Sequence, residues 1–329
     1  MKKARLFLSA LFFASLCGGL ALSEGKKESN AAPEDQKIIE SQVSAETGAP
    51  GWKITAPEKA FSGDCVVVLF SSATGLTGCA VRLIGPTGKP IAEARAFSAS
   101  AAPESAASVA LIGLSTQLES GAYTLEATAL YGEETVRSVL PLAIEKANFF
   151  SETIPLDSKN TAIKTDMSPE RLHQIDILNA ILLRQDIDSP RYPGPFRAPL
   201  HSTRRTSHFG DRRVYIYSNK TTVTNVHYGI DFGVPKGTPV FSSGDGLVVF
   251  AGKRISTGLT VVIEHLPGVY SLYYHLDALL TAKGEPVRAG TLIGRSGSTG
   301  LSTGPHLHWE FRVNGEAVSP DWFVSRTLY

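Results

Sequence analysis

The sequence predicts a mainly β protein with an N-terminal immunoglobulin-like β-sandwich, a short helical linker and a C-terminal antiparallel β-sheet domain. Short apolar runs separated by Gly and Pro recur from about residue 52 to 145 and again from about 196 to 323, which is typical of antiparallel sheets. Between these regions, one segment has apolar residues at helical spacing. The length of 329 residues, with 43% apolar and 19% charged residues, favours two globular domains.

Residues 1–23 are predicted to be a signal peptide. A basic stretch, Lys2 to Arg5, precedes an apolar run from Leu6 to Leu16, and small residues follow. An uncleaved membrane anchor and a lipoprotein modified at Cys17 are the alternatives. All three interpretations export the chain to the periplasm or cell envelope, with membrane attachment through the N-terminus only, because no later run is long and apolar enough to span a bilayer.

Residues 24–48 are polar and poor in aromatic side chains, which predicts a disordered linker. Residues 49–147 are predicted to form the β-sandwich, as a structural module or, alternatively, a binding module. Its expected strands are Val66–Phe70, Ala80–Ile84, Val109–Ile112, Tyr123–Ala127 and Val136–Ile144.

The sandwich contains two cysteines, Cys65 and Cys79. If the strands that begin near them pair as a simple hairpin, the two cysteines lie about 17 Å apart along the strands. This distance is too long for a disulfide, so none is assumed.

Residues 148–198 are predicted to be a linker with one helix. Ser168-Pro169 is a suitable N-cap and first helical residue. A packing face is expected from apolar residues at helical spacing, Leu172, Ile175, Leu178 and Ile181 or Leu182. His173, on the same helix, is expected to be solvated.

Residues 199–323 form the predicted C-terminal domain, which holds seven of the eight histidines of the chain. Its expected strands are Thr238–Phe241, Gly246–Phe250, Thr260–His265, Ser271–His275, Thr291–Ile293 and His306–Val313. The formal net charge of +1 gives no reason to expect nucleic acid as a partner.

His306-Leu307-His308 follows a Gly-rich loop. Alternate residues of a strand face the same side, so both imidazoles can hold a metal or flank one. His227 and Asp231, four residues apart, would lie about 13 Å apart in a straight strand, too far to share one metal ion. Gly229 offers a bend that would bring them together.

His227, Asp231 and His308 then supply two imidazoles and one carboxylate. Three such ligands leave one position on zinc for water, as in catalytic sites. In this arrangement His275, which ends a predicted strand within Tyr274-His275-Leu276, and His306 do not bind the metal.

These motifs resemble the lysostaphin/LytM-type zinc metalloendopeptidases, which cleave peptide bonds of bacterial peptidoglycan. The resemblance covers roughly residues 200 to 322 and rests on His227-x-x-x-Asp231, Tyr274-His275-Leu276, Thr299 to His308 and Thr206 to Arg213. It implies that His227, Asp231 and His308 bind one zinc ion per chain. It also implies that His275 and His306 are the catalytic pair, with the assignment of the base between them left open.

Five other residues have two interpretations each. His265 is a structural residue or orients a ligand, and His201 and His208 lie at the surface or line the cleft. Arg212 or Arg213 binds a substrate carboxylate through its fork or is solvated. The loop from Gly297 to Gly304 is expected to shape the wall of the cleft.

The expected function is therefore an exported zinc endopeptidase that hydrolyses peptide cross-links of peptidoglycan, with the stem peptides as its partner. The alternatives are a catalytically silent cell-wall binding protein or amidase regulator on the same fold, and cleavage of a protein outside the wall by the same site.

Overall fold

Alternation of apolar and polar residues places one face of each long N-terminal strand in a core. A computed structural model of the protein describes residues 42–46 (backbone only), 52–71, 77–99, 107–186, 189–190, 192–324 and 326–329. The ten N-terminal strands are β1 (Gln42–Glu46), β2 (Lys53–Pro57), β3 (Lys59–Phe61), β4 (Cys65–Ser71), β5 (Thr77–Ile84), β6 (Pro90–Arg95), β7 (Phe97–Ser98), β8 (Ala107–Gly113), β9 (Gly121–Tyr131) and β10 (Glu134–Glu145).

These strands form two five-stranded sheets, with strand orders β1-β2-β4-β8-β7 and β3-β10-β9-β5-β6. The inward side chains of both sheets share one hydrophobic core, which includes Ile54, Val68, Phe70, Leu83, Leu125 and Leu142. The five strands predicted in this region are all present, with wider bounds. The immunoglobulin-like character of the module stays a prediction.

The hairpin assumed for the two cysteines is wrong. β4 pairs with β2 and β8, whereas β5 pairs with β6 and β9 in the other sheet. Cys65 and Cys79 are buried and lie on strands of different sheets, so the distance estimated from a hairpin does not apply to them.

The predicted signal peptide, residues 1–23, lies outside the described residues, as do residues 24–41 of the predicted disordered linker. Within that linker, however, residues 42–46 form β1, which is antiparallel to β2. The edge of a sheet offers unpaired backbone groups, and these can hold a polar segment that has no apolar pattern of its own. Among the helices of the described residues, none is long and apolar enough to span a membrane.

The segment between the two β regions contains more structure than predicted. It comprises β11 (Ser151–Pro155), α1 (Ser158–Thr165) and α2 (Pro169–Leu182). The side chain of Ser168 accepts a hydrogen bond from the backbone N–H of Arg171, so the predicted N-cap of α2 is present. Of the predicted packing face, Leu182 is buried, whereas Leu172 is 42% exposed, because only the C-terminal half of the helix packs on the sheet.

The C-terminal region contains twelve strands and one short helix. The strands are β12 (Arg205–Ser207), β13 (Arg212–Ile216), β14 (Thr222–Val226), β15 (Ile230–Phe232), β16 (Pro239–Phe241), β17 (Gly246–Arg254), β18 (Gly258–Leu266), β19 (Val269–Leu279), β20 (Pro286–Val287), β21 (Leu292–Ser296), β22 (Leu307–Val313) and β23 (Glu316–Val318), and the helix is α3 (Pro320–Phe323). Two of these strands, β13 and β14, form a three-stranded sheet with β11, in which β11 and β13 are parallel.

The main C-terminal sheet has ten strands, all antiparallel to their neighbours, with the central order β12-β15-β22-β19-β18-β17-β20. β22 and β19 lie in its middle and are almost fully buried. The side chains of Trp309, Phe311 and Tyr273 have no exposed surface, and they anchor the strands that carry His308 and His275.

The two β regions belong to one compact unit and share a hydrophobic cluster. Val109 and Leu111 of β8 belong to the same cluster as Trp309 and Phe311. The backbone N–H of Ser319 donates to the carbonyl of Gly63 at 2.7 Å. The N-terminal module is therefore packed against the C-terminal domain.

Candidate metal centre

A break between two strands brings His227 and Asp231 together. β14 ends at Val226, β15 begins at Ile230, and the intervening residues are not in a strand. The bend predicted at Gly229 is present. Glycine is required there because a side chain would have no space, and not because the backbone has a positive φ. A Cβ atom on Gly229 would lie 2.8 Å from His308 Nε2 and closer still to the carbonyl oxygen of Trp309.

Strand pairing then adds the third residue. Asp231 and His308 are direct partners in the β15–β22 register. Asp231 Oδ1 lies 2.7 Å from His308 Nδ1 and 3.2 Å from His227 Nε2, and the two imidazole nitrogens are 2.9 Å apart. All three residues are buried. The residues that the sequence selected as metal ligands thus converge in space.

The donor set fits a zinc ion. Zinc bonds of 2.0–2.1 Å in a tetrahedron place neighbouring donor atoms about 3.3 Å apart. The three donor atoms already lie 2.7–3.2 Å from one another. Two imidazole nitrogens and one carboxylate oxygen are the ligands of a catalytic zinc site, so a small outward movement would admit the ion.

The remaining ring nitrogens select the donor atoms. His227 Nδ1 lies 2.7 Å from the carbonyl oxygen of His208 and donates to it. His308 Nε2 lies 2.8 Å from Glu310 Oε1 and donates to that carboxylate. Because these two nitrogens are engaged elsewhere, His227 Nε2 and His308 Nδ1 are the ring nitrogens that face Asp231 and are available to a metal ion.

Glu310 is held in turn by Arg312, whose Nε lies 2.8 Å from Glu310 Oε2. Both residues follow His308 at intervals of two on β22 and are therefore on one face. Although burial opposes the charge, Arg312 and His308 lower the pKa of Glu310 to about 2. Burial also opposes the charge of His308, but Asp231 and Glu310 raise its pKa to about 9, so a metal ion would have to displace a proton from Nδ1.

His275 lies beside this cluster in a strained backbone conformation. Its φ of +60° is in the left-handed region, which a non-glycine residue rarely adopts and which is often found at functional sites. The strand β19 has a bulge just after it. His275 Nδ1 donates to the carbonyl oxygen of Thr299 at 2.7 Å, and burial, together with His306 and His308, lowers the pKa of His275 to about 3.

His306 completes the group of four imidazoles. It lies one residue before β22, its Nδ1 donates to the carbonyl of Gly304 at 2.8 Å, and its ring centroid is 4.7 Å from that of His275. His306 Nε2 is 3.9 Å from Asp231 Oδ1. Burial lowers the pKa of His306, so both non-ligand imidazoles are neutral at pH 7 with Nδ1 protonated.

A cleft of ≈ 390 Å³ opens beside these residues. Asp231, His275 and His306 line it, and one wall is the loop from Leu301 to Pro305, as the sequence predicted for this segment. The lining also includes Glu152, Ile154 and Leu156 from the segment before the domain. The segment predicted to be a linker is thus part of the cleft.

Both guanidinium groups are bonded inside the protein, which contradicts the solvated interpretation, whereas the contact with a substrate carboxylate stays a prediction. Arg213 Nη2 lies 2.5 Å from Asp231 Oδ2 and its Nε lies 2.6 Å from Glu152 Oε1. Arg212 donates to the carbonyl oxygens of Gly210 and Thr116.

The other histidines lie outside the cluster. His265 is fully buried, with Nδ1 2.7 Å from the carbonyl oxygen of Asp245 and Nε2 2.7 Å from Ser271 Oγ, in agreement with the structural interpretation. His173, His201 and His208 are exposed, although the backbone carbonyl of His208 orients His227.

Three further residues belong to the site, two by direct contact with the cluster and one through Arg213. Glu310 has a signal in the sequence, since it follows His308 by two on a predicted strand. The ring of Tyr274 stacks on His308 at 5.2 Å, and the sequence assigns this tyrosine no role of its own. Glu152 has no signal in the sequence, because it reaches Asp231 through Arg213, which lies 61 residues away on the paired strand.

Comparison with known families matches residues 225–320 to peptidase family M23. The DD-carboxypeptidase/endopeptidase Mpg of Neisseria meningitidis serogroup B is 48% identical over 122 residues, which are 37% of this chain and 27% of that protein. The peptidoglycan DD-endopeptidase ShyA of Vibrio cholerae is 42% identical over 124 residues, 37% of this chain and 28% of that protein. The chain thus spans 27–28% of the length of these two relatives.

A solved structure described as a peptidase M23 from Pseudomonas aeruginosa covers more of the chain. It aligns with 80% of this chain and 94% of its own, with a TM-score of 0.53 and 22% sequence identity. At this identity the likeness concerns the fold alone. Residues 225–320 are nevertheless matched by sequence, and the motifs that resemble the lysostaphin/LytM-type enzymes lie largely within them, so this chain carries a peptidase family M23 domain.

Proposed function

We propose that this protein is an exported zinc endopeptidase that hydrolyses peptide cross-links in peptidoglycan. The observation that carries the proposal is the convergence of His227 Nε2, Asp231 Oδ1 and His308 Nδ1 beside two neutral imidazoles in an open cleft. The names of the relatives, which are DD-endopeptidases, favour the D,D cross-link over a glycine bridge as the bond that is cut.

In this proposal His227, Asp231 and His308 hold the ion. Bound zinc would supply Lewis-acid polarisation of the scissile carbonyl and activation of water. The chain contributes the orientation of its ligands: His208 O and Glu310 hold the two imidazole rings, so the donor atoms face one point.

His275 and His306 handle the proton. Each donates Nδ1–H to a backbone carbonyl, so the Nε2 lone pair is available to take a proton from the attacking water and return it to the leaving amine. We assign the first step to His306, because its Nε2 is 3.9 Å from the ligand atom of Asp231. His275 lies against the His306 ring and would support the same proton transfer.

A silent cell-wall binding protein or amidase regulator is the alternative. Such a protein has no need of a complete ligand set with two neutral histidines beside it, and this chain has both. Export rests on the sequence of residues 1–23.

Digestion of purified peptidoglycan with the zinc-loaded protein, followed by mass spectrometry of the products, tests the proposal. We expect cross-linked dimers to become monomers through cleavage of the D-Ala to diamino-acid bond, and we expect a chelator to stop the reaction. Binding to peptidoglycan without cleavage would support the alternative instead.

A further inference from the structure

The carboxylate oxygen of Asp231 that does not face the two histidines is held by side chains that precede Asp231 in the sequence. Oδ1 of its carboxylate faces His227 and His308, whereas Oδ2 lies 2.5 Å from Arg213 Nη2. Arg213 Nε lies 2.6 Å from Glu152 Oε1, and Ser207 Oγ donates to Glu152 at 3.1 Å. The four side chains form one hydrogen-bonded chain that ends at the ligand atom.

Strand register holds this chain in place. Glu152 and Arg213 are direct partners across the parallel pair β11–β13. Ser207 and Asp231 are direct partners across β12–β15. The Arg213 side chain is only 12% exposed and that of Asp231 only 8%, so little solvent reaches the contact between them, whereas Glu152 is 31% exposed and closes the chain at the edge of the cleft.

The charges explain why Glu152 is needed. Arg213 orients Asp231, but a lone guanidinium at 2.5 Å would compete with a metal ion for the electrons of the carboxylate and would repel the cation. Glu152, at 2.6 Å from Arg213, offsets that positive charge. Arg213 can then fix the orientation of Asp231 while the site remains attractive to a divalent ion.

We propose that Glu152 is a positioning residue for the metal ligand Asp231 and acts through Arg213, so that the β11 segment completes the metal centre. Glu152, Ser207 and Arg213 all precede residues 225–320, which the family match covers. The inference rests on the proposed metal site, although it does not depend on which bond the protein cuts.

The test is zinc affinity of the full chain, measured without substrate by competition with a chromophoric chelator. Partners of metal ligands typically contribute 10–100-fold to affinity, and we expect Glu152→Gln to weaken zinc binding by about tenfold. The matched control is Glu93→Gln, which removes the same charge from an exposed cross-strand pair with Arg82 on β5 and β6. It should leave the affinity unchanged.

A second variant separates positioning from folding. Arg213→Lys keeps the charge but loses the fork that bonds both carboxylates, and it should weaken zinc binding by itself. In the Arg213→Lys background, Glu152→Gln should weaken zinc binding by less than about a further threefold, since the effects of substitutions at contacting residues do not add. The visible spectrum of the cobalt-substituted Glu152→Gln protein should also differ from that of the wild type.

Equal zinc affinities for Glu152→Gln and Glu93→Gln would overturn the inference. It would also be overturned if the losses of zinc affinity caused by Arg213→Lys and Glu152→Gln were additive in the double variant. Unchanged zinc affinity with a raised KM would assign Glu152 to substrate contact instead. If Glu152→Gln does not fold, wild-type affinity in Arg213→Lys overturns the inference. Failure to digest peptidoglycan, with zinc still bound, would count against the proposed function alone.

Discussion

At the scale of single residues, the hydrogen bond made by one ring nitrogen decides the role of the other. His308 donates Nε2–H to Glu310 and presents Nδ1, whereas His306 donates Nδ1–H to Gly304 and presents Nε2. Two histidines separated by one residue therefore offer different atoms to the same site. The sequence places them on one side of the chain, but only the contacts show which ring nitrogen each of them turns toward the site.

His308→Ala should remove both zinc and activity, because one of three donor atoms is lost. His306→Ala should keep stoichiometric zinc but reduce kcat by about 10²–10⁴-fold, the usual contribution of general acid–base catalysis. Metal content by atomic emission and turnover on peptidoglycan measure the two effects. His173→Ala, at an exposed position on α2, is the control, and wild-type turnover of His306→Ala would remove His306 from the mechanism.

The buried His265 predicts a loss of stability in mild acid. Burial lowers its pKa from 6.5 to about 4 in the folded protein, so between these values the unfolded chain binds a proton that the folded protein does not. The contribution of His265 to stability is constant above pH 6.5, and it falls by about 3 kcal/mol as the pH drops to 4. Urea unfolding of the wild type and His265→Gln should show this extra pH dependence in the wild type only; parallel curves would contradict it.

At the scale of elements, the site depends on the close approach of β15 and β22. Gly229 lies directly over His308 and Trp309, where a side chain has no space. The helix α2 was predictable from its N-cap and spacing, because those signals are local. β1, β11 and α1 were not predicted, since few of their residues are apolar, and the two strands form by pairing with β2 and β13, respectively.

Gly229→Ala should destabilise the protein by about 1–3 kcal/mol, as overpacking of a tight interior does, and should weaken zinc binding because the Cβ atom displaces His308. Gly304→Ala is the control, as a Cβ atom there meets nothing within 4 Å. Thermal unfolding and chelator competition provide the measurements. Equal stability of the two variants would show that β22 can move away without cost.

At the scale of the whole molecule, the N-terminal module and the M23 domain share part of a core. Leu111 of β8 is 2% exposed and belongs to the cluster that contains Trp309 and Phe311. Asn314 donates to the backbone carbonyl of Leu111 at 2.8 Å. These contacts oppose independent motion of the two regions.

We expect the described part of the chain to unfold in one calorimetric transition. Leu111→Ala should destabilise it by about 2–5 kcal/mol, as for other buried leucines. The substitution should lower the melting temperature of both regions together. Leu130→Ala, at a position that is 41% exposed, should have little effect. Two separated transitions in the wild type would contradict this coupling.

The sequence by itself determined the mainly β class, the longest strands and the residues that converge at the candidate metal site, because these depend on local alternation and on motifs with short spacing. His227 and Asp231, for example, are four residues apart, and His306 and His308 only two. The tertiary structure decided the order of the sheets, the bonds of Arg212 and Arg213, and the inclusion of Glu152 in the site. Those features depend on strand register between distant segments, such as Glu152 opposite Arg213, and register is set by the packing of the folded chain.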